Sequence, residues 1–151
     1  MTTPPVARPW SRPPVPPPIS LSHVALNTDD LDRLHRFYVD VVGLELRSLS
    51  VAVGAAYTRV ASFGSIGDDL LLIYEVPGFR PAEPLHRGGS FDHLALAVSD
   101  PVQLAALEER LAAAGRSSGR PVDRGGWQTV RFADPDGVEA VAVCGPPPPA
   151  R

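Results

Sequence analysis

Lysine is missing from this 151-residue chain; all fourteen of its basic side chains are arginine. A lysine Schiff base is therefore excluded, and with it ordinary pyridoxal phosphate chemistry. Cysteine occurs once, as Cys144. No internal disulfide can form, and the apolar run around that thiol reads as a buried, unreactive setting. No apolar stretch approaches the roughly 20 residues of a membrane span, so no membrane partner is expected. The N-terminus shows no apolar segment of the secretory type, which makes the cytoplasm the expected compartment. Basic charge is not in excess either. A formal net charge of −3 supplies no concentrated basic face for a phosphate backbone, which argues against a nucleic-acid partner. No Ser–His–Asp or Cys–His order or spacing is legible.

Proline is plentiful but segregated. Residues 4–18 (PPVARPWSRPPVPPP) and 146–149 (PPPP) hold twelve of the eighteen prolines. Proline lacks the N–H that a helix interior or inner strand donates. Residues 1–19 and 146–151 are therefore read as proline-rich tails, and the working domain as residues 20–145.

Within that domain one figure occurs twice. LSHVALNTDD at residues 21–30 and FDHLALAVSD at 91–100 each place a His after two residues and an Asp seven places after the His. Each figure reads as a strand, with His23, Ala25 and Asn27 on one face of the first. A helix follows in both cases. The first, DLDRLHRFYVDVVG, has Thr28 or Asp29 as cap, apolar residues at helical spacing and Gly43 as its stop. The second, VQLAALEERLAAAG, has Asp100 or Ser99 as cap and Pro101 in its first turn. Three short strands then fit each unit: LELRSLSVA, AAYTRVASF and DDLLLIYEV, and later SSGRPVDR, WQTVRF and GVEAVAVC, the last two joined by a DPDG turn. The chain is predicted to be α+β, two βαβββ units at about 20–77 and 90–144, neither large enough to bury a core alone.

A paired βαβββ chain with HVAL and HLAL strands, a helix reading RFYVDVVGLEL and a closing FADPDG turn resembles the vicinal oxygen chelate superfamily. That superfamily includes glyoxalase I, extradiol dioxygenases, fosfomycin-resistance transferases, methylmalonyl-CoA epimerase and bleomycin-binding proteins. The resemblance covers about residues 20–144 and implies an open eight-stranded cup with the helices on its outer face. It implies a divalent metal on the concave face, with one His from the first strand of each unit, here His23 and His93. Imidazole suits Ni, Zn, Fe, Co or Mn. The metal-using members add a carboxylate four residues after the Gly of the closing turn, where this chain has Val141. Glu139 lies two residues earlier on the same face, about 6.6 Å along a strand, and reaches a metal only through a bulge or a shifted register. A further ligand comes from the fourth strand of the first unit, where one alignment places Leu71 and another, counted back from His93, places Glu75. His35 and His86 read as solvated.

Other candidates line the cup. The matching strand of fosfomycin-type members implies that Thr129 and Arg131 of WQTVRF face the cavity, and parity then adds Trp127, with Arg131 either paired to Glu139 or Glu75 or anchoring an acidic ligand. Tyr57 and Tyr74 offer aromatic walls. Two functional expectations follow from the resemblance. The first is a metal-dependent enzyme of lyase, isomerase or dioxygenase type, acting on a small molecule with adjacent oxygens, with Glu139 or Glu75 as third ligand or base. The second is a metal-free protein that binds and sequesters a small molecule, as bleomycin-binding members do. Open cups with bare strand edges make a homodimer the expected assembly.

Overall fold

A computed structural model describes residues 22–52, 56–65, 68–80, 92–117 and 119–145. The two proline-rich tails and His86 lie outside the described residues. Among the described residues eight strands and two helices follow the predicted order: β1 (Val24–Thr28), α1 (Leu31–Arg36), β2 (Glu45–Val51), β3 (Arg59–Ser65) and β4 (Asp68–Glu75) in the first half. The second half holds β5 (Leu94–Ala97), α2 (Pro101–Ala113), β6 (Val122–Asp123), β7 (Gln128–Ala133) and β8 (Glu139–Cys144). The strands form two four-stranded sheets ordered β1-β4-β3-β2 and β5-β8-β7-β6. In each, the first strand runs parallel to the last while the other pairs are antiparallel. The two βαβββ units are thus as the sequence implies, although β6 shrinks to two residues. No helix among the described residues is long and apolar enough to cross a membrane.

The helix starts differ in a way the sequence explains. Asp30, rather than Thr28 or Asp29, caps α1: its Oδ1 accepts from the Arg33 N–H at 2.9 Å. Thr28 is fully buried, and its hydroxyl oxygen accepts from the Asp30 N–H instead. Asp100 caps α2 through the Gln103 N–H at 2.8 Å, with Pro101 in the first turn. Beyond Arg36 the first helix widens into a π-helical stretch over Phe37–Val42, where the Tyr38 carbonyl accepts from both the Gly43 and Leu44 N–H groups. The β-branched residues Val39, Val41 and Val42 hold tight α geometry poorly. Gly43, at φ 93°, ends it in the left-handed region that glycine tolerates.

One apolar cluster joins both halves, drawing on Leu31, Leu34, Phe37 and Tyr38 from the first helix and Leu104, Leu107 and Leu111 from α2. The first helix is the joint between them. The Phe37 ring lies 6.1 Å from that of Phe132, and the Tyr38 hydroxyl donates to Asp134 Oδ2 at 3.0 Å. Arg33 pairs with Asp136, and Arg110 Nε donates to the Val41 carbonyl at 2.8 Å. Asp134 is fully buried at the head of the DPDG turn, where its Oδ1 accepts from the Asp136 and Val138 N–H groups. Burial pushes its carboxyl up against the pull of those bonds, and burial beside Asp134 holds the Tyr38 hydroxyl well above its ordinary value.

Candidate functional site

Each sheet has one face on the shared core and one left open. In β5, Leu94 and Leu96 are buried while Ala95 and Ala97 are exposed, and in β1 Ala25 and Asn27 are exposed. Strand parity places His93 with Ala95 and Ala97, and His23 with Ala25 and Asn27, just before their strands begin. Both histidines are exposed and occupy matching places on the two open faces. Ser22 Oγ lies 3.1 Å from His23 Nδ1, and the Asp92 carboxylate meets His93 Nδ1.

Their neighbours differ. The parallel register pairs Leu94 with Ala140, and one residue back it sets His93 beside Glu139. The equivalent step in the first half pairs Val24 with Leu71, and the residue before Leu71 is Leu70, which packs against the core. Glu139 is in turn held by Arg131, whose Nη1 lies 3.3 Å from Glu139 Oε2. Arg131 pairs in register with Val141, which is 6% exposed. Val141 is thus an apolar floor where the resemblance looks for a carboxylate.

The remaining candidates sort by face. Trp127 and Thr129 share the parity of Arg131. The Trp127 indole packs on Gly145, where an added Cβ would stand 3.0 Å from the ring, and the Thr129 hydroxyl donates to the Val122 carbonyl. Tyr57 meets Tyr74 edge-on with centroids 4.9 Å apart, and Tyr74 shares the parity of Leu72 on the open side of β4. Glu75 has the opposite parity. It follows the buried Leu71 and Ile73 onto the helix side, accepting from the Leu31 N–H through Oε1 and pairing with Arg59 at 2.6 Å. Arg59 also grips Asp32 of α1, and Thr58 donates to Glu75 Oε2. The Arg59 guanidinium, helped by Thr58 and the Leu31 N–H, holds the Glu75 carboxyl down at about 2. Neither Glu75 nor Leu71, the two alternatives for the fourth strand, is brought to the histidine face. His35, expected in solvent, is half-buried with its ring 6.0 Å from Phe63.

Two lining residues carried no sequence signal. A cavity of about 300 Å³ opens at the edge of β7, bounded by Gly115, Arg116, Ser117, Arg131, Phe132, Ala133 and Glu139. Arg116 and Ser117 reach it because α2 stops and the chain turns back along β7 at a bridge between Ser117 and Phe132. A residue just beyond a helix stop has no periodicity from which its facing could be read.

Among the described residues the donor set does not complete a divalent-metal site. Two imidazoles stand on separate sheets, the carboxylate beside one of them is paired with Arg131, and the family's carboxylate position is Val141. Among the described residues no three His, Cys, Asp or Glu side chains converge as ligands would.

Two βαβββ units, each leaving a sheet face open beside a strand histidine, define a duplicated α+β fold. The chain belongs to the Glyoxalase/Bleomycin resistance protein/Dioxygenase superfamily, whose family model matches residues 20–141. No curated protein matches it by sequence. Among solved structures it is similar to a glyoxylase/bleomycin resistance protein/dioxygenase domain from Frankia sp. EAN1pec, at 26% identity and a TM-score of 0.71, covering 84% of this chain and 98% of that one. It is also similar to TnmS3, an antibiotic binding protein from Streptomyces sp. CB03234, at 23% identity and a TM-score of 0.61, covering 84% and 96%. A variant of the fosfomycin resistance protein FosX from Listeria monocytogenes, complexed with Mn(II) and 1S,2S-dihydroxypropylphosphonic acid, is similar at 20% identity and a TM-score of 0.63, covering 82% and 90%.

Proposed function

We propose that this protein binds a small organic molecule on the open sheet faces without needing a metal, the second of the two expectations set by the sequence. The observation that carries this reading is the Arg131–Glu139 pair over Val141. Among the described residues the carboxylate in register with a strand histidine is engaged by a guanidinium, and the next position along the strand is apolar. In this reading Arg131, Trp127 and Thr129 contact the ligand from the second half, and Tyr57 with Tyr74 from the first. His23 and His93 act as hydrogen-bonding imidazoles at the floor.

The metal-dependent enzyme is the second reading. It is favoured by the two histidines at matching places and by Glu139 standing next to His93 in register. No catalytic step is assigned, because the donors do not assemble. The protein acts as a homodimer in either reading. The support is the seven-residue edge strand β2, exposed throughout, with Leu46, Leu49 and Val51 in contact with solvent.

Calorimetric titration of tag-free protein with Ni, Zn or Mn at neutral pH separates the two readings. Metal-free binding predicts no saturable uptake tighter than about 100 μM, the level at which binding is worth about 5.5 kcal/mol. Tighter uptake that His93→Ala and Glu139→Ala both abolish establishes the metal reading instead.

A further inference from the structure

The open face of the second sheet changes character along its strands. At one end stand Trp127, Val143 and Ala97: the register pairs Ala97 with Val143, and the Trp127 indole lies on Gly145 just past Cys144. Ala95 and Val141 continue this small apolar floor through the middle. At the other end stand Arg131, Glu139 and His93. Trp127 and Arg131 are four residues apart on β7, about 13 Å at the rise of a strand. Beyond Arg131 the face meets the 300 Å³ cavity at the edge of β7, whose charged lining among the described residues is two guanidiniums, Arg116 and Arg131, against the carboxylate of Glu139. Its lining therefore has positive net charge, with the Ser117 side chain beside it. Arg116 is steadied by its Nη1, which donates to the Asp134 carbonyl at 3.2 Å. The Arg131 side chain is 48% exposed and the Glu139 side chain 33%. A partly exposed pair of this kind holds together only weakly, so an incoming anion can compete for the guanidinium.

From this gradient we infer that the ligand is an elongated amphipathic acid, its flat apolar or aromatic end on Trp127, Ala97 and Val143 and its anionic group at the Arg116–Arg131 cavity. The inference rests on the small-molecule reading above and adds the chemical class of the ligand and its direction along β7. The aromatic end meets an indole and a floor without bulky side chains. The acid meets planar, permanently charged donors, which favour carboxylate, sulfonate and phosphonate oxygens. Glu139 holds Arg131 in place and at the same time opposes the anion, so its removal should strengthen binding.

A matched pair of dyes tests this. 8-Anilino-1-naphthalenesulfonate and N-phenyl-1-naphthylamine share their rings and differ in the sulfonate. The chain has two tryptophans, so Trp10→Phe leaves Trp127 as the sole indole, and quenching of its emission reports binding beside it. The sulfonate dye is expected to quench saturably and to bind about tenfold tighter than the neutral dye, the scale of one charge-assisted contact. Arg131→Gln and Arg116→Gln should each remove most of that preference, with circular dichroism checking that each variant is folded. Arg131→Lys should retain part of the preference, and Glu139→Gln should enlarge it. Equal affinity for the two dyes overturns the anion site but leaves small-molecule binding standing. Failure of both dyes to quench Trp127 contradicts binding at this face altogether. A preference for the sulfonate dye that survives both arginine substitutions overturns the assignment of the cavity.

Discussion

Beside its strand histidine the second half carries Glu139; the equivalent step in the first half comes to Leu70, an apolar residue packed against the core. At the other end of the same strands the distribution reverses. Arg59 and Glu75 pair in register in the first half, where the second has Gln128 and Cys144. One half thus directs its carboxylate and guanidinium onto the open face and the other turns them toward its helix. The helix starts explain the second choice. The first residue of α1 is Leu31, whose N–H needs an acceptor and finds Glu75 Oε1 at 3.2 Å. The first residue of α2 is Pro101, which has no N–H to satisfy, so Cys144 can be apolar there. A duplicated fold has therefore placed similar ion pairs to stabilise a helix in one copy and to meet solvent in the other.

Substitutions at the joint should break this arrangement most severely. Tyr38 is fully buried, touches Phe37 and Phe63, and binds Asp134 across the two halves. Tyr38→Ala is expected to cost about 3–5 kcal/mol in denaturant unfolding, the scale of a large core truncation. Tyr38→Phe keeps the ring but withdraws one donor from the buried Asp134 carboxyl, and should cost about 1–2 kcal/mol.

The Glu75 cluster comes next, and it separates the halves by pH. Its folded value of about 2 lies below the ordinary carboxylate range. The stability it contributes is therefore fully present above that range and is lost as pH falls toward 2. At neutral pH Glu75→Gln should cost about 1–2 kcal/mol, discounted for partial solvent screening. The gap to wild type should close on acidification. Cys144→Ala, at the matching place in the second half, should leave the shape of the pH profile unchanged. Chemical denaturation at several pH values between 2 and 7 measures both. A Glu75→Gln difference that persists at pH 2 would mean the ion pair is not its source.

The smallest expected effect is at Arg110, which binds the Val41 and Val42 carbonyls from α2 across an exposed surface. Arg110→Ala should lower stability by about 1 kcal/mol, the worth of such a bond. A loss comparable to that of Tyr38→Ala would move the joint from the core to this contact.

Much of this was legible because the repeat is legible. Two His-centred figures seventy residues apart fix the order of strands and helices, and the family resemblance together with alternation points His23, His93, Trp127, Thr129 and Arg131 to the open faces. Register between distant strands was not legible. Whether Glu75 or Leu71 stood at the site depended on loop lengths, and the structure puts both of them on the helix side of β4. The α1 cap was misassigned because Thr28, Asp29 and Asp30 are all capping residues and only backbone geometry chooses among them. The bond between Tyr38 and Asp134 spans 96 residues and leaves no local pattern, nor does the turn that brings Arg116 to the cavity.

The division of labour between the two open faces is tested most directly by mapping amide shifts of the ¹⁵N-labelled protein during titration with 8-anilino-1-naphthalenesulfonate. Shifts are expected to concentrate on Ala95, Ala97, Thr129, Arg131 and Val141 in the second sheet and to be reduced in Arg131→Gln. Shifts confined to Ala25, Asn27 and Leu72 in the first sheet, or to the apolar groove between the halves lined by Leu44, Leu70, Leu96 and Leu107, would contradict the assignment.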